Sequence, residues 1–371
     1  MTSHPAPPPA TSREQRFLAL IRGERRGPGA MLARLGLRLA SWAYGAAARY
    51  RNQSFSRGWR EVIRVGVPVV SVGNLTVGGT GKTPCVEFVA RFYRERECHV
   101  AILSRGYGSE AGRNDEALVL EETLPDVPHL QDADRVQIAR TAIEELESDL
   151  LVLDDGFQHR RLHRDIDLVL VDATDPWGMG AVLPRGLLRE PMTGLRRADA
   201  VIVTRADQAS AESLDRIDSR LSRLAPDKPI AHATHRPTGL LNSDGASESV
   251  EYLRERSVAG FCGIGNPEAF RRTLADLGAR VIDFRVFPDH HPYSRDDVAS
   301  LRESAQALPN DTLFVTTHKD LVKLRIADLA GRPLWALRIE MAFQTNQDAI
   351  ESVLARVFDA VGVSPHEEEP S

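Results

Sequence analysis

The chain contains 371 residues with 42% hydrophobic content, 27% charged residues and a net charge of −5, a composition typical of a globular protein with a large core and two domains or subdomains. Its cysteines, Cys85, Cys98 and Cys262, have neither metal-ligand spacing nor even pairing, which indicates buried thiols in a reducing cytoplasm rather than a zinc site or disulfides. No apolar run approaches the roughly 20 residues of a membrane span, and the N-terminus lacks the layout of a secretory signal, so we expect a chain that is neither exported nor membrane-spanning.

The first 65 residues are strongly basic. They hold twelve arginines and three glutamates, a net charge of +9, so the rest of the chain carries −14. Residues 1–14 are rich in proline and are predicted to be a disordered tail. Residues 15–66 form a predicted basic amphipathic region, in which apolar residues at positions 31–49 recur at helical spacing and arginines fall on another arc. The apolar arc consists of Met31, Leu32, Leu35, Leu39, Trp42 and Ala46.

Three functions suit such a helix. It can lie on an anionic membrane surface, with the apolar arc in the lipid and the arginines at the headgroups. It can instead pack its apolar arc on the protein's own core and leave the arginines in water. Nucleic-acid binding is the weakest reading, because no RNA- or DNA-binding motif accompanies the charge, and no nucleic-acid partner is expected.

A phosphate-binding loop is predicted between an apolar strand at 68–72 and a helix that begins at Lys82. In this loop, residues 73–81, glycines let the backbone curl so closely that its N–H groups can bind a triphosphate at the helix N-terminus. In P-loop proteins the lysine reaches the β- and γ-phosphates and the next hydroxyl binds Mg²⁺, roles that fall here to Lys82 and Thr83. The predicted nucleotide-binding residues are Val77, Gly78, Gly79, Thr80, Gly81, Lys82 and Thr83.

An acidic pair follows a second buried strand. Residues 150–154 are apolar up to Asp154, and Asp155 comes next. The first aspartate past a strand that is covered on both faces lies at the carboxyl edge of the sheet, where nucleotides bind in α/β folds. Together with the loop upstream, the pair is predicted to hold the magnesium shell.

Strands that alternate with helices predict an α/β fold of the P-loop NTPase type, a mostly parallel sheet with helices on both faces. The predicted P-loop core covers residues 67–240, and its further strands are 99–103, 167–172 and 199–204. A polar stretch at 240–247 is predicted to be a surface loop, and residues 250–360 a second, smaller α/β lobe. The predicted elements of this lobe are strand 257–262, helix 267–277, strand 281–286, helix 295–307 and strand 312–316.

Six motifs follow one another in the chain. They are GNLTVGGTGKTP at 73–84, LSRGYG at 103–108, DE at 115–116, DDGFQH at 154–159, LPRGLLRE at 183–190 and THKD at 317–320. In this order, over residues 31–340, they resemble the tetraacyldisaccharide 4'-kinase family. The resemblance implies an ATP-dependent kinase of lipid A biosynthesis in Gram-negative bacteria, which phosphorylates the 4'-hydroxyl of an acylated glucosamine disaccharide phosphate, tetraacyldisaccharide 1-phosphate, to give lipid IVA. It also implies a peripheral protein at the cytoplasmic face of the inner membrane, which favours the membrane function of the N-terminal helix.

The resemblance assigns roles to particular residues. Asp115 is implied as the base, assisted by His290 from the second lobe, with His291 as the rival in the same doublet. Because an ordinary aspartate is a weak base, a histidine that shares the proton would help. The implied magnesium-shell residues are Thr83, Asp154, Asp155 and Glu116. The implied lipid-headgroup contacts are Arg105, Tyr107, Gln158, His159, Arg189 and Glu190.

The acceptor's 1-phosphate suits an arginine, since guanidinium binds phosphate in bidentate geometry, and Arg105 and Arg189 are both candidates. A base from one lobe and a histidine from the other require the second lobe to close over the active site. The chain departs from the family pattern at Ala117, where a proline is usual, and at His318, which replaces a glutamate.

Other function classes remain as alternatives. A MinD-like ATPase switch that binds a protein partner is suggested by the Gly-Gly-x-Gly-Lys-Thr core, in which Thr76 replaces the usual first glycine. Val77, in place of the second lysine of many MinD-like proteins, argues against it. A P-loop kinase or ligase for a soluble substrate is the second alternative. A GTPase is weaker, because no Asn-Lys-x-Asp motif is present, and no obligate protein partner is evident.

Overall fold

The computed structural model describes residues 13–106 and 115–361. Within these residues, helices α1 to α10 span Arg13–Arg22, Pro28–Ser56, Lys82–Arg94, Asp115–Thr123, Arg135–Leu146, Ala211–Leu224, Pro267–Asp276, Arg295–Gln306, His318–Leu324 and Gln347–Val361. Strands β1 to β13 span Val69–Asn74, Val100–Ser104, His129–Gln131, Leu150–Asp154, Ile166–Asp172, Ala200–Thr204, Ile230–Leu241, Ser247–Glu248, Ser257–Cys262, Arg280–Val286, Leu313–Thr317, Asp328–Leu329 and Arg332–Thr345. The predicted amphipathic segment at 31–49 lies within the longer helix α2, and the other strands and helices predicted from the sequence agree with these bounds to within about two residues.

The described strands form one sheet with the order β10-β9-β11-β13-β7-β6-β5-β1-β4-β2-β3, in which β12 pairs with β13 and β8 with β7. Strand β1 pairs in parallel with both β4 and β5. Antiparallel pairing joins β7 to β13, β7 to β8 and β12 to β13. The predicted mostly parallel α/β sheet is therefore confirmed, and the loops that follow β1 and β4 leave the sheet at the same edge.

Helices cover both faces of this sheet around β1. Val70 and Val72 belong to a buried cluster with Val86 of α3 and Leu354 of α10. Val69, which points the other way, belongs to a cluster that includes residues of α5. Successive side chains of a strand face opposite sides, so a strand buried on both sides is apolar throughout, which is why β1 was recognisable in the sequence.

Strands β7 and β13 were not predicted. β7 contains Pro237, Gly239 and several polar residues, which are unfavourable in strands. It nevertheless pairs along its length with β13, and the register shifts between Arg338 and Ile339, opposite Pro237. The loop predicted at 240–247 corresponds to the turn at 242–246, which joins β7, ending at Leu241, to β8, beginning at Ser247, so that the two strands form a hairpin.

The described residues divide into two compact units. Unit 1 comprises the residues up to Arg60 together with Leu75–Val77 and Asp175–Gly194, and unit 2 comprises the rest. The whole sheet lies in unit 2. The strands predicted for the core at 67–240 and for the second lobe at 250–360 are therefore parts of one unit, joined through β7 and β13.

Helix α2 of unit 1 contains the predicted amphipathic segment. Its packed side is formed by small residues, since Ser41 and Gly45 are buried and Ser41 Oγ donates a 2.6 Å hydrogen bond to the carbonyl of Val182. The apolar arc is exposed instead, with Leu39 67% and Trp42 74% accessible. The arc therefore does not pack on the other described residues of unit 1. None of the described helices has the length and apolar character needed to cross a bilayer.

Helix α10, near the C-terminal end of the described residues, packs on the core around β1. Ile350 and Leu354 are fully buried there. The buried phenol of Tyr93 on α3 donates a 2.8 Å hydrogen bond to the carbonyl of Leu354. The helix that carries the phosphate-binding loop at its N-terminus is thus supported by the last helix of the structure.

We expect Leu354→Ala to lower the free energy of unfolding by about 2–5 kcal/mol, because it removes buried apolar surface and leaves a cavity. Ser352→Ala, at an exposed position of the same helix, is the matched control and should change it by no more than about 0.5 kcal/mol. Urea unfolding followed by circular dichroism measures both values. Equal midpoints for the two variants would contradict the packing described for α10.

Candidate active site

The predicted phosphate-binding loop connects β1 to α3. Gly78 and Gly81 have φ values of 114° and 82°, a region that favours glycine because it has no Cβ. A Cβ at Gly81 would also collide with the imidazole of His235 on β7. Glycine is therefore required at 78 for its backbone conformation, and at 81 for both conformation and space.

The acidic pair lies at the end of β4, as the sequence predicted. Lys82 Nζ is 3.7 Å from Asp155 Oδ1. Asp154 is buried, and its Oδ1 has no hydrogen-bond partner among the described residues. Burial, together with the negative charges of Glu116 and Asp155, raises the pKa of Asp154 to about 7, although the charge of Lys82 acts in the opposite direction.

This environment is suited to a divalent cation. Mg²⁺ prefers oxygen ligands, keeps several waters and usually binds one or two carboxylates together with substrate phosphates. The uncompensated oxygen of Asp154 and the buried hydroxyl residue Thr83 at the start of α3 are ligands of this kind. Among the described residues, no three acidic, histidine or cysteine side chains cluster closely enough to hold a metal alone, which is compatible with a metal that also binds phosphate.

Asp115 and His290 are in direct contact. Asp115 is a buried residue in the first turn of α4, and His290 Nδ1 lies 2.9 Å from its Oδ2 and 3.0 Å from its Oδ1. Burial opposes ionisation of Asp115, but the hydrogen bond with His290 and the charges of Lys319 and Lys323 outweigh it and lower the pKa of Asp115 to about 2. The same hydrogen bond raises the pKa of His290. An ionised carboxylate beside a protonated imidazole is therefore favoured.

The second histidine of the doublet has a different partner. His291 Nε2 lies 2.9 Å from Asp297 Oδ2, and its ring stacks on Phe287 with a centroid distance of 4.9 Å. Asp297 also accepts hydrogen bonds from Ser294 in the capping box that begins α8. The geometry thus associates His290 with Asp115, and His291 with a helix terminus.

Two lysines of α9, neither of which has a role predicted from the sequence, complete the charge cluster. Lys319 Nζ donates a 2.7 Å hydrogen bond to Glu116 Oε1, and its charge lowers the pKa of Glu116. Lys323 Nζ is 3.6 Å from Asp115 Oδ2 and 3.2 Å from Asp320 Oδ1. The Thr-His-Lys-Asp motif was a signal for Lys319, whereas Lys323, one turn later, belongs to no motif.

The residues predicted to contact a lipid headgroup are distributed over both units. In unit 2, Gln158 and His159 follow the acidic pair, and Gln158 Nε2 donates a 2.9 Å hydrogen bond to the carbonyl of Asn74. Arg105 follows β2 and is exposed. Tyr107 lies outside the described residues.

In unit 1, Arg189 and Glu190 follow a loop beside α2. Glu190 is 2% exposed and accepts a hydrogen bond from Asn52 of α2. Val77, the first of the predicted nucleotide contacts, belongs to the same unit, and its N–H donates a 2.8 Å hydrogen bond to the carbonyl of Leu187. The buried carboxylate of Glu190 is therefore fixed by the helix that carries the exposed apolar arc.

Known proteins resemble the chain over almost its whole length. A family model described as tetraacyldisaccharide-1-P 4'-kinase, LpxK, matches residues 33–359. A tetraacyldisaccharide 4'-kinase of Anaeromyxobacter dehalogenans (strain 2CP-C) is 43% identical over 357 residues, which cover 90% of this chain and 93% of the relative. A protein of the same name from Syntrophus aciditrophicus (strain SB) is 37% identical over 360 residues, which cover 90% of this chain and 95% of the relative.

A solved structure of a protein with the same family name is similar to the chain in both sequence and fold. It is a crystal structure of LpxK from Aquifex aeolicus in complex with ATP, which aligns with a TM-score of 0.72 and 31% identity. The alignment covers 88% of this chain and 99% of the other.

The contact between His290 and Asp115 predicts a measurable titration. Asp115→Asn removes the negative charge that stabilises the imidazolium, so the pKa of His290 should fall towards the ordinary value of about 6.5. Two-dimensional NMR of ¹³C-labelled histidines, assigned with His290→Gln, measures the midpoint.

Asp297→Asn is the matched control, because it removes the partner of His291 and should leave the His290 midpoint at its wild-type value. A His290 midpoint that is the same with and without the Asp115 carboxylate would contradict the contact.

Proposed function

The chain belongs to the tetraacyldisaccharide-1-P 4'-kinase family and is a kinase of lipid A biosynthesis, and on this premise we propose the reaction that it catalyses. The γ-phosphoryl group of ATP is transferred in line to the 4'-hydroxyl of tetraacyldisaccharide 1-phosphate, which gives lipid IVA. The observation that supports this best is the hydrogen bond between Asp115 and His290. The pair adjoins Glu116, whose pKa is lowered in part by the charge of Lys82 in the phosphate-binding loop.

In the proposed step, Asp115 accepts the proton of the attacking hydroxyl. A carboxylate whose pKa is about 2 is a weak base on its own. When the carboxylate is neutralised, however, the charge that raises the pKa of His290 is lost. The imidazolium can then release a proton to solvent, since the side chain of His290 is 59% exposed. The pair as a whole therefore removes one proton from the reacting oxygen.

The nucleotide and its metal are proposed to bind at the loop and the acidic pair. Bound Mg²⁺ would neutralise charge on the phosphates of ATP. Lys82 donates to phosphate oxygens in this proposal, and Thr83 and Asp154 provide oxygen ligands for the metal. Asp155 and Glu116 would complete the residues that hold the metal, and Glu116 accepts a hydrogen bond from Lys319.

The anionic headgroup of the acceptor is proposed to bind near the start of α5. Arg135 is buried there, and the charge of Arg105 adds to burial in lowering the pKa of Arg135. A buried arginine whose pKa is lowered by burial and by a second arginine, although Asp132, Asp154 and Asp155 act in the opposite direction, favours an anion such as the 1-phosphate beside it. The further headgroup contacts proposed from the family resemblance are Tyr107, Gln158, His159, Arg189 and Glu190.

We also propose that the protein works as a peripheral protein at the cytoplasmic face of the bacterial inner membrane. An acylated substrate stays in the lipid phase, so the enzyme must reach the surface of the bilayer. The exposed apolar arc of α2 and the net charge of +9 over residues 1–65 support binding to anionic lipids. A MinD-like switch is not favoured, because the kinase family matches nearly the whole chain.

The proposed chemistry predicts the results of a kinase assay with labelled ATP, Mg²⁺ and detergent-dispersed tetraacyldisaccharide 1-phosphate. The wild type should form labelled lipid IVA. Asp115→Ala should lower kcat by about 10²–10⁴-fold, the typical contribution of a general base, without loss of nucleotide binding. Lys82→Ala should impair both nucleotide binding and turnover.

His290→Ala and His291→Ala form a matched pair in the same assay. Only His290→Ala should approach the loss seen for Asp115→Ala, because His291 contacts Asp297. Equal losses for the two histidine variants would overturn the assignment of His290. A folded wild type that binds ATP and transfers no phosphate to the disaccharide would overturn the proposed substrate.

Flotation with vesicles of phosphatidylethanolamine and phosphatidylglycerol tests the membrane proposal. The double variant Leu39→Ser, Trp42→Ser should bind at least about tenfold more weakly, because each apolar side chain loses its burial in lipid. Ile282→Ser, Val286→Ser, at exposed apolar positions of β10 in unit 2, is the control. Wild-type binding by the α2 variant, or equal loss by both variants, would contradict a specific role for this arc.

A further inference from the structure

Two residues at the carboxyl end of β6 donate hydrogen bonds to carbonyl groups of the phosphate-binding loop. Arg205, which follows β6, donates a 2.7 Å hydrogen bond from Nη2 to the carbonyl of Gly79. Thr204, the last residue of β6, is fully buried and donates a 2.9 Å hydrogen bond from Oγ1 to the carbonyl of Thr80. Neither residue is part of the nucleotide or metal contacts described above.

These two hydrogen bonds determine where the N–H groups of the loop point. The C=O and N–H of one trans peptide plane point in opposite directions, and the peptide bonds of this loop are trans. When the carbonyl of Gly79 points to Arg205, the N–H of Thr80 must point away from it. In the same way, the carbonyl of Thr80 points to Thr204, so the N–H of Gly81, in the same peptide plane, must point away from Thr204. Two successive N–H donors thus point away from the end of β6, an arrangement that anion binding by a loop can use.

Arg205 is itself firmly held. Its Nη1 forms an ion pair with Asp172 at the end of β5, and both side chains are only 12% exposed. The residue has a φ of 53°, a left-handed conformation that a non-glycine residue keeps only when its surroundings enforce it. The guanidinium therefore bridges a carboxylate and a loop carbonyl, a geometry that suits the rigid fork of arginine better than the single ammonium of lysine.

Two other side chains that contact this loop, Asn74 and His235, are uncharged. Asn74, which is fully buried, donates a 2.8 Å hydrogen bond from Nδ2 to Thr80 Oγ1. His235 packs against Gly81, and burial, with the neighbouring charges of Arg205 and Lys319, lowers its pKa to about 3, so that the imidazole is neutral. Arg205 is consequently the only cation among these four contacts of the described loop.

We propose that Arg205, held by Asp172, is a positioning residue for the nucleotide phosphates, which acts through the peptide plane between Gly79 and Thr80. A glycine-rich loop loses much conformational entropy when it becomes ordered on a ligand. A loop that is already anchored before the ligand binds loses less conformational entropy. We therefore expect Arg205 to increase the affinity for phosphate. This inference rests on one part of the proposed function, namely that the loop binds the phosphates of ATP.

Displacement of a fluorescent ATP analogue by ATP, tripolyphosphate and adenosine tests the inference. Arg205→Ala should weaken the binding of ATP and of tripolyphosphate by the same factor. The expected factor is about tenfold or more, as for the loss of a hydrogen bond to a charged group. Adenosine should be unaffected. In the kinase assay the KM for ATP should rise while the KM for the lipid acceptor stays unchanged. Arg205→Lys should restore part of the phosphate affinity, and Asp172→Asn should cause a smaller loss in the same direction.

Arg356→Ala is the matched control, because it breaks an arginine–aspartate pair with Asp199 at the opposite end of β6, where the distance is 2.8 Å. It should leave all three affinities at the wild-type value. Wild-type affinity for tripolyphosphate in Arg205→Ala overturns the inference, as does an equal loss for adenosine accompanied by a lower Tm. A folded wild type that binds neither ATP nor tripolyphosphate overturns the proposed function itself.

Discussion

The carboxylate of Glu116 interacts electrostatically with those of Asp115 and Asp154, and this negative charge must be balanced because Asp115 and Asp154 are buried. A buried carboxylate is costly unless a cation or hydrogen bonds compensate for it. Lys319 and Lys323 help to keep Asp115 and Glu116 ionised, whereas the pKa of Asp154 stays raised. The carboxylate of Asp115 is thus kept ionised, whereas Asp154 keeps an oxygen without a described hydrogen-bond partner, which is suited to a metal ion.

The balance depends on the packing of α4 against α9. Besides the two lysine contacts, His318 at the start of α9 lies 2.7 Å from Glu122 on α4. The three contacts follow one another along both helices, so they fix the position of the first turn of α4, where the site carboxylates are. His318, the departure from the family pattern, thus has a place in this helix pair, although it makes no contact with Asp115.

The sheet provides the rigid support for these helices. Because β7 pairs with β13, the strands on either side of this pair form one continuous sheet. α9 follows β11, and His290 follows β10, both beyond this pair, whereas Asp115 follows β2 on the other side. Residues from distant parts of the chain can therefore meet in fixed geometry, which phosphoryl transfer requires, since its rate depends on accurate positioning.

The sequence by itself determined those strands, helices and loops whose structure depends on residues adjacent in the chain. Continuous apolar runs identified β1 and β4, and glycines followed by Lys82 identified the phosphate-binding loop. The family resemblance also pointed to Asp115 and to the histidine doublet at 290–291. Only the tertiary structure decided which histidine of the doublet contacts Asp115, 175 residues away, and that Lys323 joins the pair.

The anchoring of the loop by Arg205 and the pairing of β7 likewise emerged only from the tertiary structure. Both depend on contacts between segments that are remote in sequence, and neither leaves a local pattern, because Arg205 belongs to no motif and β7 contains Pro237. Local periodicity and turn chemistry act over a few residues, whereas the partner of a side chain at the sheet edge is set by strand order. That order is decided by the packing of the whole chain.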